Sequence, residues 1–326
     1  MGLIENSKTY TGRDLDTIFF NPIFSGENAE QLGIRVLYNM PVPTTIQMWQ
    51  PETNVIQEYG AGWSGGCASD RVQKDIEMSK LKAEVAYSAS QYFQQVYESI
   101  VCRADVNLDD LTGTVLEQAE TEMFRAAIAE SLRVLMWIGD DTASDYSQIN
   151  GFLTLAYRYS DNDQVPTIGV AGVEPNADNV INIFRSMWSK ASPKLKALRG
   201  DGQLAFFVTS DIYEAYEQYL DDCGADGAYT DIISGRRELS YHGIKIVDMG
   251  ISQYMPLNCN DLETHCILTD RRNLALAVNT ADLPGAEVRM WYNPDMMENR
   301  QRATFMVGAE ILDPNLLVMA HFGKVE

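Results

Sequence analysis

The stretch "DLTGTVLEQAETEMFRAAIAESLRVLMWI", residues 110–138, carries the strongest secondary-structure signal in the chain. Its apolar side chains recur at intervals near three and four residues, the spacing of one helix face. Glu122 stands three residues before Arg125, and Glu130 three before Arg133, so each pair can meet on a helix. Gly139 follows where a helix stop belongs. The stretch predicts a helix about 40 Å long, well above the globular mean.

Charge is the unusual feature of the composition. The 326 residues include 25 basic and 46 acidic ones, for a net charge of -21, and the acidic residues are scattered along the chain. Such a chain repels nucleic-acid phosphates, which excludes a nucleic-acid-gripping protein. Its apolar runs are far shorter than the roughly 18 residues of a membrane helix, so we expect no membrane partner. The five irregularly spaced cysteines favour a reduced, intracellular setting.

The region before the long helix is predicted to be extended. Residues 1–44 show little periodicity and several turn formers, which is typical of an arm that lies on another surface. Apolar residues then alternate in two stretches, from Thr45 to Tyr59 and from Ile76 to Tyr87. We therefore expect two extended segments around a glycine-rich tip.

That tip, "EYGAGWSGGCASDR" (58–71), matches the G-x-G-x-x-G fingerprint of dinucleotide-binding loops at Gly60, Gly62 and Gly65, with Glu84 roughly twenty residues further on. A Rossmann loop needs a hydrophobic strand before the first glycine and a helix after the third. Here "NVIQEY" is half polar, "GCASDRVQKD" has no apolar helical face, and Trp63 occupies the tight turn. We expect a flexible loop tip and no cofactor; a nucleotide-dependent enzyme is kept only as a remote alternative.

The region after the helix mixes helices and strands, which predicts an α+β or α/β arrangement. "IGDDTASDYSQINGFLTLA" (138–156) is polar and turn-rich, and is the best candidate boundary. "NADNVINIFRSMWSKAS" (176–192) predicts an amphipathic helix, "QLAFFVTS" (203–210) a buried strand, and "DIYEAYEQYLDDC" (211–223) a helix capped by Asp211. Long strands follow, with turns at Asn293-Pro294 and Asp313-Pro314.

Candidates for chemistry are few. Cys259, His265 and Cys266 lie close together, but without the paired C-x-x-C spacing of a metal site, so buried cysteines beside a strand are expected. The other histidines are His242 and His321, and we expect all three to be structural or at the surface. The acidic pairs at 140–141 and 221–222 are expected to be solvated or capping groups. We predict no metal and no catalytic residue.

The order of elements resembles the major capsid proteins of tailed bacteriophages, the Hong Kong 97-type fold. "DIEMSKLKAEVAYSASQYFQQV" (75–96) is similar to the strand that enters the family's peripheral domain, and residues 110–138 to its spine helix. "MENRQRATFMVGAEILDPNLLVMAHF" (297–322) is similar to its closing strand. The resemblance implies an α+β fold with four parts: an N-terminal arm at 1–44, an extended loop hairpin at 45–75, a peripheral domain at 76–150 and 284–326, and an inserted axial α/β domain at 151–283.

The resemblance also implies the function. A family member is not an enzyme but a shell subunit, assembled in the host cytoplasm into hexamers and pentamers of the icosahedral capsid of the virion. That shell encloses double-stranded DNA without sequence-specific binding. Only about 44 residues precede the loop, too few for the fused scaffolding domain that some relatives carry. A separate scaffolding protein, or none, is therefore expected, and a portal is expected as a further partner. An encapsulin, a bacterial nanocompartment with the same fold and a protein cargo, is the alternative.

The extended loop holds the residues expected to contact neighbouring subunits. Apolar and aromatic side chains on an exposed hairpin are hard to explain in a monomer but are typical interface anchors. The candidates are Met48, Trp49, Val55, Ile56, Tyr59 and Trp63. Some relatives crosslink their subunits through a lysine on this loop. Because residues 45–70 contain no lysine, no such crosslink is expected, although Asn293, Glu298 and Asn299 lie late in the chain.

Overall fold

The computed structural model describes residues 29–40, 44–50, 70–87, 115–171, 174–224, 239–258, 264–279 and 289–323. The strands are β1 (Arg35–Leu37), β2 (Thr44–Gln50), β3 (Asp70–Ile76), β4 (Ser79–Tyr87), β5 (Thr167–Ala171), β6 (Leu204–Val208), β7 (Ser240–Tyr241), β8 (Ile244–Asp248), β9 (Thr264–Asp270), β10 (Leu274–Val278), β11 (Arg289–Asn293), β12 (Glu298–Ile311) and β13 (Leu317–Gly323). The helices are α1 (Val115–Ile138), α2 (Phe152–Asp161), α3 (Val180–Lys190), α4 (Pro193–Ala197), α5 (Ser210–Asp222) and α6 (Met255–Asn258).

Sheet 1 is built around the long strand β12. Residues 299–302 of β12 pair with both β11 and β4, and Val307 pairs with both β4 and β10. Strands β11 and β10 therefore follow each other along one edge of β12, while β4 runs along the other. Strand β1 extends the sheet by parallel pairing with β10. The mixture of helices with mainly antiparallel strands confirms the predicted α+β class.

Sheet 2 has six strands in the order β5-β13-β9-β6-β8-β7. All five residues of β6 are buried, as are all seven of β9, so these strands lie at the centre with both faces covered. Helices α3, α4 and α5 share one hydrophobic core with one face of the sheet. Helices α1 and α2 share another core with its opposite face and with sheet 1.

Helix α1 joins the two sheets and confirms the long helix predicted from the sequence. Every residue from Leu132 to Ile138 is buried, because this half of the helix is apolar around most of its circumference. The predicted stop is also confirmed: the chain leaves the helix at Gly139, and Gly151 then donates from its amide to the Gly139 carbonyl at 2.8 Å. A Cβ on Gly151 would lie 2.5 Å from the Trp137 carbonyl oxygen, so only glycine permits this close return.

Several predicted elements have different partners or bounds. The turn-rich passage ends at Gly151, since α2 begins at Phe152. The predicted cap at Asp211 is wrong: the N-cap position is Thr209, and Asp211 lies inside α5, where its carboxylate accepts from the Thr264 hydroxyl at 2.9 Å. A carboxylate in a first helical turn is still favoured by the helix dipole. The predicted turns at Asn293-Pro294 and Asp313-Pro314 do separate β11, β12 and β13.

The division into domains stays a prediction, and sheet pairing departs from it at three strands. Strand β1 falls in the predicted arm at 1–44 but pairs with β10 in sheet 1. Strand β10 falls in the predicted axial segment but pairs in sheet 1, whereas β13 falls in the predicted peripheral segment but pairs in sheet 2. Both are short apolar strands, almost wholly buried. Such strands look alike in sequence whichever sheet they join.

Candidate functional site

The hairpin of β2 and β3 is the feature that most needs another surface. The two strands pair antiparallel from Thr44 with Ile76 to Gln50 with Asp70, and form a two-stranded sheet in the described part of the chain. Thr45 and Gln47 of β2 are exposed, as are Gln73 and Asp75 of β3. A two-stranded hairpin is marginally stable in water. Its unpaired edges also make it able to add to a sheet or lie across a second subunit.

The base of the hairpin is fixed to the body of the subunit. Ile76 at the end of β3 is buried with Ala275, Ala277 and Leu312. The chain then bends across β12 at Gly308, where a Cβ would lie only 2.2 Å from the Glu77 carbonyl oxygen. Packing and close backbone approach therefore hold the exit point of the hairpin.

A polar cluster of Lys74, Tyr159 and Glu310, here called the hairpin latch, adds a second attachment. The Lys74 ammonium donates to the Tyr159 hydroxyl at 2.5 Å, and this hydroxyl donates to Glu310 Oε1 at 2.6 Å. Lys74 Nζ also lies 3.5 Å from Glu310 Oε1 and 4.5 Å from the centre of the Tyr159 ring. Burial and the bond to Glu310 raise the pKa of Tyr159, so the hydroxyl keeps its proton at physiological pH. The latch thus ties β3 to α2 and β12.

Replacing Tyr159 by phenylalanine removes the hydroxyl between Lys74 and Glu310. We expect the hairpin to open about 1–3 kcal/mol more easily, because two partly buried charged groups lose a hydrogen-bond partner. Hydrogen exchange should then speed up at least several-fold in residues 44–50 and 70–76. Tyr254→Phe is the matched control, since it removes a half-buried tyrosine hydroxyl elsewhere that also donates to a glutamate. Equal hairpin exchange in the two variants would contradict the latch.

Helix α1 is locked to sheet 2 by a second polar cluster, the spine clamp of Glu130, Arg133 and Tyr254. Arg133 Nε donates to Glu130 Oε2 at 2.9 Å, and its Nη1 donates to the carbonyls of Met249 and Gly250, both at 2.9 Å. The Tyr254 hydroxyl donates to Glu130 Oε1 at 3.0 Å. Burial, then this bond to Glu130, raises the pKa of Tyr254. The predicted Glu130–Arg133 pair therefore forms, but in the interior, where the loop after β8 covers it.

Sheet 1 leaves apolar surface uncovered. A groove of about 860 Å³ lies between β4 and α1, lined by apolar side chains that include Leu81, Ala83, Phe124 and Ile128. Among the described residues, four large apolar side chains are unusually exposed: Val85 (44%), Trp291 (42%), Met296 (61%) and Met297 (55%). Exposed apolar surface of this kind is a frequent mark of protein contacts. Sequence did not single out these residues, because the exposure of an apolar side chain depends on what packs against its strand or turn, and a local pattern does not show this.

The predicted contact residues lie on or beyond the hairpin. Met48 and Trp49 are in β2, with their backbones paired to Val72 and Arg71. The remaining four, Val55, Ile56, Tyr59 and Trp63, lie outside the described residues, as do the fingerprint glycines. The second extended stretch is corrected: the partner of β2 is β3, whereas residues 79–87 form β4 in sheet 1. Alternation indicates a strand but not its partner, which explains the error.

The sulfur and imidazole groups lie in the interior of sheet 2. Cys266 is buried, and burial raises the pKa of its thiol; Cys259 lies outside the described residues. His265 is fully buried, and its Nε2 lies 2.6 Å from the Tyr157 hydroxyl. Burial lowers the pKa of His265 to about 3, with a smaller contribution from His321, its neighbour across the strands. The described residues contain no group of three or more His, Cys, Asp or Glu side chains able to hold a metal ion.

The acidic pairs act as expected in turns and helix ends. Asp140 accepts from the backbone amide and the hydroxyl of Thr142, at 2.9 and 2.8 Å. Asp141 accepts from Arg158 at 2.6 Å and from the Asn150 amide at 3.1 Å, and these bonds lower its pKa. Asp221 and Asp222 are the last residues of α5. None of the helices in the described ranges is both long and apolar enough to span a membrane.

Comparisons with known proteins identify the fold. No protein-family model and no curated protein matches the sequence. Among solved structures, the capsid of the native GTA particle aligns with a TM-score of 0.52 at 14% identity, over 98% of this chain and 95% of that chain. The satellite phage P4 procapsid that includes the size determination (Sid) protein gives 0.53 at 10% identity, over 97% and 100%. A structure of Gordonia phage Cozz gives 0.51 at 10%, over 91% and 86%. The chain therefore has the fold of the tailed-phage major capsid proteins.

Proposed function

We propose that this chain is a major capsid protein, which assembles into the icosahedral shell around the double-stranded DNA of a tailed phage. The observation that carries the proposal is the capsid fold, matched over 97% of this chain and the whole of the procapsid chain. The hairpin supports it too: in the described residues β2 and β3 pair only with each other, and a two-stranded hairpin is marginally stable in water unless another surface covers it. Sedimentation of the purified chain, with a scaffolding protein if needed, should reveal a fast species of uniform size.

The parts of the subunit take different roles in this proposal. Residues 1–28 of the predicted arm and the loop at 45–75 lie across neighbours, whereas residues 29–40 pack in the subunit's own sheet 1 and core. The peripheral segments 76–150 and 284–326 form the wall of the shell. The axial segment 151–283 meets its copies around the centres of hexamers and pentamers. Such contacts are heterologous, since different patches of one chain meet, and symmetry closes them. The hairpin latch holds the β2–β3 hairpin, and the spine clamp holds α1, at a fixed angle to the rest of the subunit.

The charge of the subunit suits a container. A net charge of -21 avoids tight phosphate contacts, so packed DNA can slide in and leave. The subunit acts as a structural element of the virion, not as an enzyme, and it assembles in the host cytoplasm with a separate scaffolding protein and a portal. The encapsulin alternative is not favoured, because the three matching structures reported above belong to phage and GTA particles. The contents of purified particles test that choice: DNA supports the phage shell, and a protein cargo supports the encapsulin.

Trp63→Ala tests the role of the loop tip. We expect the subunit concentration needed for assembly to rise about 30-fold or more, because a buried aromatic anchor typically contributes at least 2 kcal/mol. Light scattering during assembly measures this concentration. Thermal unfolding of the unassembled subunit should be unchanged, since Trp63 belongs to the segment that connects β2 and β3 and is expected to contact a neighbour only.

Ser64→Ala is the matched control at the neighbouring position, since it alters the tip without removing an aromatic side chain. We expect it to assemble like the wild type. If Trp63→Ala also assembles at wild-type concentrations, the tip is only a turn and the contact role is wrong.

A further inference from the structure

Charge is sorted, not mixed, on the helices that cover sheet 2. Residues 179–200 contain five basic residues and no Asp or Glu. Helix α5 contains five acidic residues and no Lys or Arg. In a chain with nearly twice as many acidic as basic residues, an acid-free stretch of this length stands apart. Solubility alone is served by interspersed signs.

Within the described residues, the cations of α3 and α4 pair with no carboxylate. Arg185, Lys190, Lys194 and Lys196 form what we call the basic face; the first three are exposed and Lys196 is half-buried. Lys190 donates to the Thr167 carbonyl at 2.8 Å, Lys196 to the Ser189 carbonyl at 3.0 Å, and Arg185 to the Asn182 side chain at 3.3 Å. In the described ranges none of the four forms a salt bridge. Other cations do pair with carboxylates: Lys74, Lys82, Arg133, Arg158, Arg272, Arg300 and Arg302.

The acidic residues of α5 lie in the same helical layer on sheet 2 as the basic face. Asp211, Glu214 and Asp222 are exposed, and with the rest of the helix they form the acidic face. Helix α5 packs on β6, β8 and β9, while α3 packs on β13 and its Lys190 reaches the start of β5; the two helices also pack on each other. Within this layer α3 therefore lies nearer the β5 edge of the sheet and α5 nearer the β7 edge. Each copy thus carries both faces.

We propose that the basic face of one copy binds the acidic face of a second copy, head to tail. This contact rests on the proposed function, because a head-to-tail contact between different patches closes into rings when the rotation is right, as a capsomer requires. Opposite charges steer the two copies into register and penalise like-signed arrangements. The acidic partner is this chain itself, since α5 supplies the complementary charge in equal copy number. Nucleic-acid phosphate is the competing ligand.

Charge reversal and exchange test the pairing. Lys194→Glu with Lys196→Glu, and separately Glu214→Lys with Asp222→Lys, should each raise the assembly concentration about tenfold at low salt. The four changes combined should return it to within about threefold of wild type, because opposite charges face each other again. Lys194→Arg with Lys196→Arg keeps the charge and should assemble normally. Wild-type assembly should weaken as salt screens the contact.

The controls separate the possible failures. Circular dichroism and thermal unfolding of the unassembled subunits check that each variant is folded. If the wild type assembles but ignores both reversals, or if the exchange fails to restore assembly, the pairing is wrong while the capsid function stands. If reversing the charge of the basic face removes bound DNA but leaves assembly unchanged, the basic face binds phosphate, and the proposed pairing is wrong. If the wild type forms no shell, the capsid function fails, and the same exchange is scored on the dissociation constant of the small oligomers.

Discussion

Replacing Glu130 by alanine is expected to lower the free energy of unfolding by about 3–5 kcal/mol. The substitution leaves the Arg133 guanidinium buried without its carboxylate, and the Tyr254 hydroxyl without its acceptor. Removing one partner of a buried ion pair costs this much because the remaining charge has lost both water and counter-charge. Urea unfolding of the unassembled subunit, followed by circular dichroism, measures the loss.

Glu122→Ala provides the matched control on the same helix. Glu122 is exposed, eight residues before Glu130, so its removal should change the free energy of unfolding by less than about 0.5 kcal/mol. Similar losses in the two variants, or a loss below about 1 kcal/mol for Glu130→Ala, would show that the spine clamp is not an energetic link between α1 and sheet 2.

His265 is expected to make the subunit acid-sensitive. Burial holds its pKa at about 3 in the folded chain, whereas a histidine in the unfolded chain has a pKa near 6.5. Between these values the unfolded state binds more protons, so the free energy of unfolding falls as the pH drops from 6.5 toward 3. The contribution of the neutral, buried His265 to the free energy of unfolding is fully present above pH 6.5. From His265 alone we expect a loss of about 2 kcal/mol at pH 5 and about 3 kcal/mol at pH 4.

His265→Gln isolates this contribution from that of the carboxylates. The variant keeps a polar side chain beside the Tyr157 hydroxyl but cannot titrate, so its stability should fall less steeply between pH 6.5 and 4. His242→Gln, in the exposed turn between β7 and β8, is the control for replacing an imidazole outside the interior. Parallel pH profiles of the wild type and His265→Gln, measured by urea unfolding, would refute the assignment.

The elements that could be predicted from sequence are those whose signal is local. The long helix, its stop at Gly139 and the buried strand β6 are each specified by spacing within the element itself. What depends on partners could not be predicted. Alternation identified strand character at 76–87 but not that β4 pairs with β12, and the apolar runs of β10 and β13 carry no mark of their sheet.

The candidate contact surface was predicted only in part for the same reason. Spacing brought Glu130 and Arg133 together, but their burial depends on a loop more than a hundred residues away. The hairpin latch joins residues 74, 159 and 310. These residues are far apart in the sequence and meet only in the folded chain, so no local pattern could predict their contact. The proposed contact residues Met48 and Trp49 do lie on a hairpin that has no third strand in the described residues. Their contacts with a neighbour remain a prediction.

The most direct test of the account is electron cryo-microscopy of the purified chain, assembled alone and with its scaffolding protein. We predict closed icosahedral particles in which the β2–β3 hairpin of each subunit lies on a neighbouring copy. Micrographs that show only monodisperse small oligomers under every assembly condition would contradict the proposal that this chain is a shell protein.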